Sequence, residues 1–107
     1  MMITPTPAQW SVEIVQDGRS GSVNYRESSG RISCYWEFGG GNTVAIIWIG
    51  DAALWSSRHA WAVERRREIL ERIAHEVVRQ KAPTCRAEID DRHGYIYIRE
   101  RAAQKER

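Results

Sequence analysis

Gly30-Arg31-Ile32-Ser33-Cys34-Tyr35-Trp36-Glu37-Phe38-Gly39-Gly40-Gly41-Asn42-Thr43-Val44-Ala45-Ile46-Ile47-Trp48-Ile49 reads as two strands and the turn between them. Ile32, Cys34, Trp36 and Phe38 alternate with Ser33, Tyr35 and Glu37, the period-two pattern of a half-buried strand. The glycines and Asn42 form a turn. Thr43 to Ile49 is then apolar on both faces, with Val44, Ile46 and Trp48 on one and Ala45, Ile47 and Ile49 on the other. A strand of this kind is normally covered front and back. Trp48 is read on the inward parity of its own strand, so the expectation is that Trp48 joins Trp10 and Trp36 in the core. Ile47 and Ile49 then lie on the outer face with Val15 and Tyr35.

Upstream, Trp10, Val12 and Ile14 alternate with Ser11 and Glu13, and Val23 and Tyr25 alternate with Ser22, Asn24 and Arg26. Asp17-Gly18 and Ser28-Ser29-Gly30 separate these runs. Short turns between four alternating segments predict an antiparallel meander. Downstream, Ser56 or Ser57 is placed to cap a helix. From His59 to Ala82 the period becomes 3.6, with Val63, Ile69, Leu70, Ile73, Ala74, Val77 and Val78 on one stripe. Arg67–Glu71 and Glu68–Arg72 fall at pairing distance on its polar side, and Pro83 stops it. An uninterrupted helix over those residues is about 36 Å long, more than a strand of this sheet, and should cross it diagonally or overhang. Cys85, Ala87 and Ile89, the turn Asp91-Arg92-His93-Gly94, and Ile96 and Ile98 opposite Tyr95 and Tyr97 make a closing hairpin.

The predicted fold is thus α+β in the order ββββαββ: a four-stranded antiparallel meander, one long helix packed on one face, and a C-terminal β-hairpin extending the sheet. A crossover from the fourth strand to a parallel neighbouring fifth should be right-handed. One domain spans residues 10–98, with a loose leader over 1–9 and a charged, frayed tail over 99–107. Composition agrees: 11 Ile and 7 Val stand against 2 Leu, with 5 Trp among 107 residues, a set suited to a pleated core.

Formal net charge is +2. Residues 1–57 sum to −2 and residues 58–107 to +4, a mild asymmetry. Arg supplies 14 of the 16 basic residues, and its fork suits carboxylate and phosphate alike. Cys34 and Cys85 have no metal-type spacing and read as reduced, buried thiols. The N-terminal residues lack the basic and apolar regions of a signal peptide, and no apolar run reaches about 20 residues, so a cytoplasmic, non-membrane protein is expected.

No constellation of residues assembles a known chemistry. Gly39-Gly40-Gly41 leads into a strand and has no Lys for a phosphate loop. Cys85 should face the core while His93 sits at a turn tip with Asp90 and Asp91, so no nucleophile–base pair forms. His59, His75 and His93 are too dispersed to bind a metal. No cofactor, metal or catalytic set is expected, and an enzyme is the least favoured class. The leading expectation is a protein-binding module, homodimeric, with an interface of Val15, Tyr35, Ile47, Ile49, Trp55 and Trp61. The alternatives are nucleic-acid binding through Arg58, Arg65, Arg67 and Arg72, and a small-ligand pocket between helix and sheet lined by Trp36, Trp48 and Trp61.

Overall fold

A computed structural model describes residues 9–101. Six strands form one open antiparallel sheet in the order β1-β2-β3-β4-β6-β5. They are β1 (Trp10–Asp17), β2 (Ser20–Glu27), β3 (Gly30–Phe38), β4 (Thr43–Trp48), β5 (Cys85–Asp90) and β6 (Tyr95–Glu100). The meander and the closing hairpin thus belong to the same sheet. It is β6 that pairs with β4, antiparallel, while β5 forms the outer edge, so the neighbouring parallel crossover does not occur. Among the described residues, β6 includes Arg99 and Glu100, two residues of the expected tail. The leader over 1–8 and the tail beyond Arg101 lie outside the described residues.

The helical segment is broken rather than continuous. Helix α1 spans Ala52–Arg58, a 3-10 segment Ala60–Arg65, and helix α2 Arg66–Lys81. Asp51, not Ser56 or Ser57, caps α1, accepting from the Leu54 amide at 2.9 Å. The break lies at His59, the α1 C-cap, whose backbone departs from helical angles (φ −132°, ψ 60°). Helix α2 is about 24 Å long at 1.5 Å per residue, close to the strands it covers, so the expected overhang has no basis. The stripe Ile69, Leu70, Ile73, Ala74 and Val77 is buried on the sheet, whereas Val63, in the 3-10 segment, is exposed. Both predicted helix pairs form, Arg67–Glu71 at 3.0 Å and Arg72–Glu68 at 2.6 Å.

The register corrects the sides of β4. Phe38 opposes Ala45, Trp36 opposes Ile47, and Tyr35 opposes Trp48. Ala45, Ile47 and Ile49 therefore enter the core, at 9%, 1% and 6% exposure. Trp48 lies on the outer face, the reverse of the expectation for all three of Ile47, Ile49 and Trp48. Each hairpin pairs residues whose numbers sum to an odd value, so inward parity alternates from strand to strand: even in β1 and β3, odd in β2 and β4. A strand apolar on both faces cannot reveal this shift by its own pattern.

Close approach is built in at Gly21. A Cβ there would lie 1.9 Å from the Val15 carbonyl and 2.9 Å from Trp36 Nε1. The missing side chain lets the Trp36 indole reach over β2 and donate to that carbonyl at 3.1 Å. Glu27 at the end of β2 gathers the helix side: Arg65 donates to it at 2.6 Å and Tyr25 Oη at 2.6 Å, while Arg72 donates to Tyr25 Oη at 2.8 Å. The Arg65 guanidinium, opposed by partial desolvation, holds the Glu27 carboxyl down at about 2.

Candidate functional site

Helices and core occupy the inner face of the sheet, leaving the outer face without a covering element among the described residues. Across its middle one row of paired positions reads Val15, Ser22, Tyr35, Trp48, Tyr95 and Asp90. The next row adds Glu37, Ile46, Tyr97 and Glu88. The rings touch one another: Tyr35 and Trp48 have centroids 5.3 Å apart, Trp48 and Tyr95 5.7 Å, and Tyr95 and Tyr97 5.8 Å. Arg99 lies over Tyr97 at 4.6 Å. Cross-strand aromatic pairs stabilise a sheet modestly even in solvent, but Tyr35 at 50% and Val15 at 42% exposure leave a partly uncovered apolar stripe. Around it stand Glu13, Asp17, Glu37, Glu88 and Asp90 against Arg26, Arg31, Arg86 and Arg99. Arg86 and Arg99 both pair with Glu88, at 2.8 Å each.

Beside the stripe the sheet has a notch. Strand β4 meets β3 only over Tyr35–Phe38, then leaves the sheet at Ile49 and Gly50 for α1. Between β3 and α1 lies a cleft of about 420 Å³. Ser33, Cys34 and Tyr35 line its strand side, and Leu54, Trp55, Arg58 and His59 its helix side. Trp55 is the rigid wall, 1% exposed, with its indole donating to the Ala62 carbonyl at 3.0 Å. Burial, with a smaller contribution from Arg58, lowers the His59 pKa and favours the neutral ring. Burial pushes the Cys34 thiol up to about 12, so it packs as a protonated group rather than serving as a nucleophile.

Arg66 holds this wall in place. Its Nε donates to Asp91 Oδ1 at 2.7 Å, and its Nη2 to the carbonyls of Gly50 at 2.9 Å and Asp91 at 3.1 Å. The guanidinium also lies 5.1 Å from the Trp55 ring centroid. By helical spacing Arg66 falls near the apolar stripe, which does not disclose these partners. Its isolation from Glu in an otherwise paired Arg-Glu surface was the available signal.

Of the residues expected at an interface, Val15 and Tyr35 lie on the outer face. Ile47 belongs to the core, and Ile49 and Trp55 are buried but border the cleft. Trp61 is partly buried and packs over Gly30, where a Cβ would meet its ring at 2.6 Å. Sequence reasoning missed Trp48, Ile46, Tyr95 and Tyr97 as surface residues. Of the basic set, Arg65, Arg67 and Arg72 are engaged by carboxylates, whereas Arg58 is exposed and has no carboxylate partner among the described residues. Trp36 and Trp48 project from opposite faces, which rules out the pocket expected between Trp36, Trp48 and Trp61. The cavity actually lying between helix and sheet is about 210 Å³, lined by Trp36, Phe38, Val44 and Val77 among others.

The fold and its surface define an α+β domain with helices on one sheet face and an aromatic stripe on the other. Comparison of the chain with protein-family models, with curated proteins and with solved structures gives no match. Among the described residues no group of metal-ligating side chains occurs and no helix is long and apolar enough to cross a membrane.

Proposed function

We propose that the chain is a non-enzymatic protein-binding module of the cytoplasm that pairs with a second copy of itself through the outer sheet face. The observation that carries this reading is the stripe Tyr35–Trp48–Tyr95–Tyr97, with Ile46 and Val15 beside it, on a face that no element of the described chain covers. Large aromatic side chains at the centre of a patch, ringed by polar groups, are the usual anatomy of an interface. A second copy suits the rim, because arginines and carboxylates stand on it in nearly equal number and can answer each other. The same balance opposes a nucleic-acid backbone, which is drawn to an excess of basic charge.

Sedimentation or light scattering at high micromolar concentration tests the reading. A dimer is expected, and Trp48→Glu should convert it to a monomer that melts cooperatively, since Trp48 lies outside the core. A native chain that stays monomeric, or a Trp48→Glu variant that still dimerises, refutes self-association through this face.

A further inference from the structure

Strand β3 spans nine residues, yet β4 pairs with only the last four of them. Over Gly30–Cys34 the strand has β2 on one side and no second strand on the other. In an antiparallel sheet alternate residues direct their N–H and C=O to opposite neighbours. Part of this edge therefore points into the notch, and no other backbone or side-chain group of the described residues bonds to it. An unpaired edge is a template for an added strand.

The cleft limits what can be added. Trp48, Ile49 and Gly50 border it where β4 leaves the sheet, and Trp61 packs on the inner side of Gly30 at the start of β3. The space left beside Ile32–Cys34 is about 10 Å of extended chain, or roughly three residues. A strand laid there alternates its side chains between the Tyr35 and Trp48 rings outside and the Leu54 side of α1 within. Arg58 and His59 line the wall, and no carboxylate does. Every arginine of α2, β5 and β6 has a carboxylate within 4 Å, whereas Arg58, like Arg19, Arg26, Arg31 and Arg92, has none among the described residues, and of these only Arg58 lines the cleft.

We propose that this cleft binds a short extended segment of a partner protein that carries a carboxylate. The segment adds as a strand to the free edge of β3, and its acidic group meets Arg58. Edge and cation together select a peptide: a nucleotide could use the cation and the rings but not the backbone edge. The site shares Tyr35 and Trp48 with the stripe, while Leu54, Arg58 and the β3 edge lie outside it.

The test is an amide-resolved NMR titration with acetylated Thr-Val-Glu-Val-Thr amide. Three further probes are run beside it: the same peptide with Lys for Glu, the acidic peptide N-methylated at alternate amides in either phase, and adenosine monophosphate. Odd-numbered residues of β3 face the β4 side, as the bond from the Gly39 amide to the Val44 carbonyl shows, so the acidic peptide should shift the amides of Arg31 and Ser33 and the Trp48 indole. Both the Lys peptide and the Arg58→Gln variant should bind about fivefold more weakly, as expected for a partly screened ion pair. Arg58 is exposed, so this variant should keep its spectrum elsewhere. N-methylation in one phase should abolish the shifts. Failure of the acidic peptide to move the edge amides overturns the proposal. So does equal binding by both N-methylated forms, or a response to the nucleotide alone. A monomeric protein that binds the peptide refutes self-pairing only, and a dimer that ignores it refutes only this site.

Discussion

Replacing Arg66 by Met keeps the length of the side chain and removes its donors. Arg66 is 8% exposed and ties three pieces of chain together: the start of α2, the β4–α1 connector through the Gly50 carbonyl, and the β5–β6 turn through Asp91. Losing the two carbonyl bonds should cost about 1 kcal/mol each, and losing the charged bond to Asp91 about 1–2 kcal/mol more. The lower part of that range applies because the Asp91 side chain is 43% exposed and can recover water. The expected total is about 3 kcal/mol, or roughly 12–24 °C in melting temperature for a domain of this size. Arg66→Lys keeps the charge but not the fork, and should lose about half as much. Urea unfolding followed by tryptophan fluorescence measures both, with Trp55 reporting directly from beneath the guanidinium. A Met variant within about 1 kcal/mol of the native chain would show that packing of the stem, and not the polar clamp, holds the connector.

The remaining predictions concern the two halves of the core. With its carboxyl held at about 2, Glu27 contributes stability that is complete above its ordinary value of 4.5 and is lost as pH falls through about 2. Glu27→Gln should lower stability at neutral pH by about 1–3 kcal/mol and flatten the acid limb measured by unfolding between those pH values. Glu76 is likewise held at about 2, chiefly by Arg79, so the limb should shrink without vanishing. Gly21→Val places a side chain against the Val15 carbonyl and the Trp36 indole, so the hairpin must shift. A loss of roughly 2–4 kcal/mol in thermal or urea unfolding is expected, and a neutral result would show that β2 yields there at little cost.

Stripe and cleft share Tyr35 and Trp48, and this placement follows from where β4 ends. Had β4 run the length of β3, the edge would be paired and α1 displaced. Instead the chain turns at Gly50, whose φ of +83° suits a residue without Cβ, and Arg66 fixes the turn from below. The break in the helix at His59 serves the same arrangement. It lets α1 lie against the notch while α2 covers the sheet, whereas one straight helix would have a single direction.

Much of the architecture was legible in the residue pattern. Alternation located β1, β2, β3 and β5 because one face of each is largely polar, and the 3.6 period located the buried stripe of α2. The Arg–Glu pairs on α2 followed from spacing alone, since three and four residues along a helix are neighbours whatever the fold. The pattern failed where the two faces of an element look alike. In β4 both parities are apolar, so only pairing with β3 could assign Ile47 to the core and Trp48 to the surface. The helical break was hidden because Ala60-Trp61-Ala62-Val63 is a continuous apolar run with no period of its own to contradict a helix, while the backbone leaves helical angles at His59. Spacing puts Arg66 near the apolar stripe, but only the folded chain brings the turn at Asp91 and the carbonyl of Gly50 to its guanidinium. Sequence by itself set the local elements, because propensity and period act between near neighbours. Tertiary structure decided which face is open and where an edge is left unpaired, because each depends on register between segments distant in the chain.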